Sequence, residues 1–216
     1  MKCISTALAI ALTAFSCSMF AQSNDEFKAF TGGPVCGLNF TQVDGDTFYG
    51  YHKVAINAGG LVYVHFTKAL GVSMELDYTR KGSRGELVTQ GSAVGTYVEK
   101  YFMNVNYVEV PLTFHIISHG FDFEAGASYA RLVNSSEWVE TDHYVSIDPV
   151  VNRFNTSDVD FILGMMYKLY KGWHVNARFQ YSLTSIRPPE RIPLGFGWGD
   201  LGQYNNMFSL RVMYLF

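Results

Sequence analysis

The residues that could do chemistry are few and scattered. Glu137, Glu140, Asp142, His143 and Asp148 lie close together in the chain, and an oxygen-rich cluster of this kind can hold a hard cation such as calcium. Their spacing matches no known calcium loop, so they read as a solvated acidic loop. The run Gly195-Phe196-Gly197-Trp198-Gly199-Asp200 is glycine-rich, yet it lacks the lysine and the following helix that a phosphate cradle needs, and it reads as a loop tip. Arg80, Lys81 and Arg84 could attract lipid phosphates by charge, or could simply be a charged loop. No Ser-His-Asp set and no carboxylate pair can be assembled, so the expectation is a non-enzyme with no catalytic residues, no cofactor and no metal ligands.

The elements that would position any such residues show a period of two. From Trp173 to Thr184 every odd position is apolar or aromatic and every even one polar, which is the pattern of a strand with two unlike faces. Phe208 to Phe216, Phe121 to Tyr129 and Val159 to Leu169 repeat it in the second half. Val72 to Tyr78, Val108 to Ile116, Val54 to Phe66 and a weaker series from Cys36 to Phe40 repeat it in the first. Three connections are short, at 67–71, 118–120 and 170–172, and each carries a glycine suited to a tight hairpin. Four are long, roughly 43–52, 81–100, 133–157 and 187–203, and long alternates with short. Eight strands with all long loops at one end is the pattern of an outer-membrane barrel, with short turns and both termini on the periplasmic side.

Composition agrees with a wall facing lipid. Of the 216 residues, 48% are hydrophobic and only 16% charged, below the usual charged share of soluble domains. No stretch is apolar for the length of a membrane-spanning helix. The net charge of -3 supplies no basic excess for nucleic acid, which is excluded as a partner. Residues 1–21 read as a signal peptide, with cleavage after Ala21, and residues 22–216 as the barrel domain. Of the three cysteines only Cys36 then remains, so no internal disulfide can brace the exported chain.

The two faces decide which way the barrel is turned. One collects Glu75, Asp77, Glu109, Asp122, Glu124, Asp160, Lys168, Arg178 and Arg211 among small residues, while the other is nearly free of charge. A charge at mid-membrane costs about 2–4 kcal/mol, so the clean face is expected to meet lipid and the charged face to fill the lumen as a paired polar network. His65, His115 and His174 fall on that inner face near the short turns, where hydrogen bonding is expected. Aromatic side chains gather near the strand ends, as interfacial girdles require. Pro111 lacks a backbone N–H, and a closed barrel has no edge to hide it, so a bulge or a gap in the ladder is expected there.

Several short motifs resemble those of a known family. Gly37-Leu38-Asn39-Phe40, Glu75-Leu76-Asp77-Tyr78 with Lys81-Gly82, Val108-Glu109-Val110-Pro111-Leu112, Phe123-Glu124-Ala125-Gly126 and the terminal Met213-Tyr214-Leu215-Phe216 resemble the small PorT-like outer-membrane β-barrel proteins of Gram-negative bacteria. The resemblance implies a protein exported through the periplasm. It also implies contact with outer-membrane lipid and with the barrel-assembly machinery, for which Phe216 looks like the assembly signal. It says little about activity, the namesake being linked to protein secretion.

The expectation is therefore all-β: an eight-stranded antiparallel up-and-down transmembrane β-barrel in the outer membrane, plugged by polar groups and carrying long external loops. Its role is expected to be structural, interaction-based or secretion-supporting, with an envelope or surface protein as a possible partner. A narrow channel for small solutes, a lipid-modifying barrel enzyme and a soluble ligand-binding barrel are the alternatives.

Overall fold

A computed structural model describes residues 28–91, 95–140, 144–193, 195–197 and 201–216. The expected signal peptide, and Asp142, His143, Trp198, Gly199 and Asp200 of the two loop motifs, lie outside the described residues. The strands are β1 (Phe30–Asp44), β2 (Lys53–His65), β3 (Leu70–Lys81), β4 (Arg84–Gly91), β5 (Gly95–Ser118), β6 (Phe121–Glu140), β7 (Tyr144–Ser146), β8 (Ser157–Tyr170), β9 (Trp173–Ser182) and β10 (Tyr204–Tyr214). Every pairing is antiparallel, and β1 meets β10 from Val35↔Met213 to Asp44↔Tyr204, which closes the sheet into a cylinder. Eight strands form the wall, because β4 carries β3 onward beyond a break at Gly82 and Ser83, and β7 is a short flap paired only with β6. Closure leaves the wall without an edge, so its backbone groups are satisfied without water.

The short turns follow from local backbone chemistry. His119 and Gly120 have φ of 51° and 82°, and Lys171 and Gly172 have 35° and 88°. Two successive left-handed residues are what a two-residue hairpin with the right twist requires. A side chain at Gly172 would also place its Cβ 2.6 Å from the Leu215 carbonyl oxygen.

The pleat separates the two faces cleanly. In β3, Leu76 is 61% exposed beside Glu75 at 3%. The same inversion holds for Leu163, Phe123 and Leu210, which point out, against Glu124, Arg178 and Ser209, which point in. A barrel in water would bury the first set and expose the second, so this wall is built for hydrocarbon. Pro111 pairs with Ser128 on the β6 side, while the β3–β5 ladder skips from Met74↔Leu112 to Asp77↔Glu109. The gap in the ladder thus falls at the residue that has no N–H to give.

Three of the four long connections are more ordered than alternation alone indicates. The segment 81–100 is largely the β4–β5 hairpin, which extends the wall upward. Within 133–157, β6 continues to Glu140 and turns back as β7. Within 187–203, Arg187 bridges Gln203 and residues Pro189–Arg191 form a 3-10 turn. In β6, Asn134 pairs with Asn106 and Leu132 with Tyr107, so Val133 is an extra residue. This bulge reverses the phase of the strand: Asp122, Glu124 and Ser128 face inward below it, Glu137 and Val139 above it.

Candidate functional site

The centre of the lumen is crossed by a fork of charge. Arg178 on β9 donates from Nε and Nη2 to the two oxygens of Glu124 on β6, at 2.7 and 2.9 Å. Its Nη2 also donates to Glu75 Oε1 on β3 at 2.7 Å. Strands β3 and β9 stand opposite each other around the cylinder, so this pair spans the full bore. Arg211 on β10 reaches the same Glu75 at 2.7 Å, lies 3.6 Å from Asp77, and donates to Asn176 Oδ1 at 2.9 Å. Inward glycines make the room. A Cβ on Gly164 would fall 2.3 Å from Glu124 Oε1, and one on Gly59 would fall 2.1 Å from Asp77 Oδ1.

Two further sets continue the plug. Lys81 ion-pairs with Asp160 and lies 3.4 Å from Glu109 Oε2, with its ammonium 5.4 Å from the Tyr107 ring centroid. Ser128 and Ser182 donate to Asp160 at 3.2 Å each, and Gln180 donates to Glu109 at 2.5 Å. Toward the short turns, Tyr63 donates to Asp122 Oδ2 at 2.7 Å and His115 Nδ1 lies 2.8 Å from Asp122 Oδ1. His115 Nε2 is 2.8 Å from the Ser73 hydroxyl. His65 Nε2 meets Thr31 at 3.2 Å, and His174 Nδ1 meets the Gly172 carbonyl at 2.9 Å.

Of the charged residues expected inside, Glu75, Asp77, Glu109, Asp122, Glu124, Asp160, Arg178 and Arg211 are buried in the lumen. Lys168, expected in that network, is not part of it: it is exposed at the short-turn mouth, beside a register shift between Lys168 and Tyr170, where no carboxylate among the described residues pairs with it. Lys81 is corrected in the opposite sense. It is no rim residue but fully buried, whereas Arg80 and Arg84 are exposed and Arg84 lies over the Phe102 ring at 5.0 Å. Phe216 is 50% exposed, and its N–H donates to Gly32 O at 3.1 Å.

Alternation did not point to the long-loop end of the lumen. There Arg187 donates to both oxygens of Glu137 at 2.6 and 2.8 Å and to Gln203 Oε1 at 2.8 Å, and it lies 4.3 Å over the Phe154 ring. Tyr101 donates to the same Glu137 and packs against both Phe48 and Phe196 in a three-ring cluster, with centroids 5.1 and 4.8 Å away. Val43, Met103, Val105 and Ile186 complete an apolar core above the charged plug. The phase change at Val133 is what puts Glu137 and Val139 on the inner face. Nearby, in the β1–β2 connection, burial pushes the Asp46 carboxyl up to about 6, although its Oδ1 accepts the Phe48 N–H at 2.8 Å. Of the acidic cluster in the third connection, Glu137 is thus engaged by Arg187, while Glu140 and Asp148 are exposed. The described residues contain no group of three or more that could ligate a metal.

The comparisons with known proteins bear on this architecture. Residues 20–187 match the family described as outer membrane protein beta-barrel domain. Among curated proteins none matches the chain. Of solved structures, Ail, the attachment invasion locus protein of Yersinia pestis, is similar at 11% identity and a TM-score of 0.48, covering 88% of this chain and 100% of that one. Neisserial surface protein A is similar at 9% identity and a TM-score of 0.42, with 86% and 95% covered. The N-terminal β-barrel domain of Pseudomonas aeruginosa OprF is similar at 12% identity and a TM-score of 0.40, with 88% and 100% covered. The family match extends over most of the chain, and the lipid-facing wall is what such a family requires: the chain belongs to the outer membrane protein β-barrel domain family and is a small barrel of the Gram-negative outer membrane.

Proposed function

We propose that the protein is a non-enzymatic barrel that works by structure and by contact, as an envelope anchor, a surface-contact element or a support for secretion. The observation that carries this reading is the Glu75–Arg178–Glu124 fork, which crosses the bore between opposite strands and is buried throughout. A solute would have to break charge-assisted hydrogen bonds in a low-dielectric interior to pass it. The strand-extended connections, above all the β4–β5 hairpin, are the parts available to a partner outside the cell if the short turns face the periplasm, as is general in outer-membrane barrels. Within the family, the motifs from Gly37 to Phe40 and from Val108 to Leu112 favour kinship with the PorT-like barrels, and Phe216 would serve as the signal to the assembly machinery.

Planar-bilayer recording tests the reading. The purified barrel should show no unitary conductance steps above the bare bilayer. Regular steps that vanish on heat denaturation would overturn it in favour of a narrow channel.

A further inference from the structure

The short-turn end of the lumen is left open as a cavity of about 510 Å³, within the size range of small-ligand sites. Its floor is the Tyr63–Asp122–His115 set, in which the phenol and the imidazole engage both oxygens of Asp122. That is the one side-chain carboxylate among the described lining residues, and it is already partnered. The walls carry Lys28, Lys68 and Lys168, and none of these ammonium groups has an ion-pair partner among the described residues. Ile117, Met166 and Leu215 stand beside them. Deeper in, the Arg178 fork closes the bore, so the cavity is reached from the short-turn side alone.

Three like charges beside low-dielectric walls focus their field into the cavity and draw in anions. Ammonium groups bind phosphate as point charges, whereas planar carboxylates favour the arginine fork, and no arginine is among the described residues that line this cavity. We propose that the vestibule binds a phosphate group presented from the short-turn side, borne by a lipid headgroup or by a soluble phosphate compound, with the apolar wall seating the rest of the ligand. This goes beyond the structural role argued above and does not depend on any loop partner.

The test uses the whole barrel in phosphatidylcholine nanodiscs, titrated with inorganic pyrophosphate by calorimetry. Saturable binding is expected. The combined Lys28→Gln, Lys68→Gln and Lys168→Gln variant should weaken it by about tenfold or more. All three lysines are exposed, so the fold is retained, which heat-modifiable gel mobility verifies. Ile117→Trp keeps every charge while narrowing the cavity and should weaken binding as well. Arg131→Gln with Arg153→Gln, toward the opposite end, should leave it unchanged. Adding soluble short-chain phosphatidylglycerol below its micelle-forming concentration separates the two sources: competition with pyrophosphate means the site takes a headgroup phosphate, and no competition means it takes a soluble phosphate compound, either result supporting the proposal. No saturable binding in phosphatidylcholine, undiminished affinity in the lysine variant, or an equal loss in the arginine control would overturn it.

Discussion

The middle of the lumen and its long-loop end fill the same cylinder with opposite chemistry. In the middle, two arginines and a lysine are shared among Glu75, Glu124, Glu109 and Asp160, and inward glycines leave space for the forks. At the loop end, aromatic and aliphatic side chains pack as in a soluble core, with Arg187 and Glu137 as one buried pair among them. Outside the barrel the solvent is lipid around the middle, so apolar side chains gain nothing by turning inward there. Beyond the membrane the loops meet water, and the hydrophobic effect again drives apolar groups inside. The change of core chemistry along one axis records where the surrounding solvent changes.

The comparison can be broken most sharply at Arg178. Arg178→Leu leaves the buried Glu124 with only the Asn176 amide in hydrogen-bond reach and Glu75 with Arg211 alone, and removing one member of such a buried pair costs about 3–5 kcal/mol. Urea unfolding in lipid vesicles should show a loss of that order, and a change below about 1 kcal/mol would mean that water reaches the middle of the bore. Leu163→Arg probes the wall at the same level. If lipid lies there, it destabilises the barrel by about 2–4 kcal/mol, and a neutral result in the same assay would place that face in water.

At the loop end the effects should be smaller and local. Glu137→Ala leaves Arg187 with only the neutral acceptors Gln203 Oε1 and the Asn152 carbonyl and removes the acceptor of Tyr101, at a cost of about 1–3 kcal/mol. It should raise amide exchange in β7 and around Ile186 while leaving the middle strands protected; uniform loss of protection would show that the two regions form one cooperative unit. The smallest effect concerns Asp46. Its carboxyl is raised to about 6 from 3.8, so the folded loop holds the proton more tightly than the unfolded chain does. The stabilisation is therefore complete below about pH 3.8 and is lost as pH rises through about 6. Protection of the β1–β2 connection should fall as pH rises from 3.8 to about 6, and Asp46→Asn should flatten that dependence.

The difference between the regions also explains what could be read from the sequence. Strict alternation survives wherever one face meets lipid and the other the lumen, so residues such as Leu76 beside Glu75, or Ala177 beside Arg178, disclose both strand and facing direction. Glu137 and Arg187 were hidden for separate reasons. Val133 shifts the phase by one residue, which alternation registers as the end of a strand. Arg187 lies in no strand at all, and its partners come from β6 and from Gln203. Lys81 looked like a rim residue because it follows Arg80, yet the pleat carries the two to opposite faces. Lys168 had the inward parity but sits too near the mouth to be enclosed. Pro111 was legible from the missing N–H alone.

The fork in the bore also bears on the order in which the chain folds. Glu75 and Arg178 are separated by 103 residues, and Glu75 and Arg211 by 136. Neither contact can exist while the sheet is still a ribbon. Until the first and last strands meet, these groups need hydration, and an unrolled sheet carrying naked carboxylates resists entry into acyl chains. The clasp across the bore thus also couples insertion to rolling-up, favouring a barrel that closes as it enters over one that enters first and closes later.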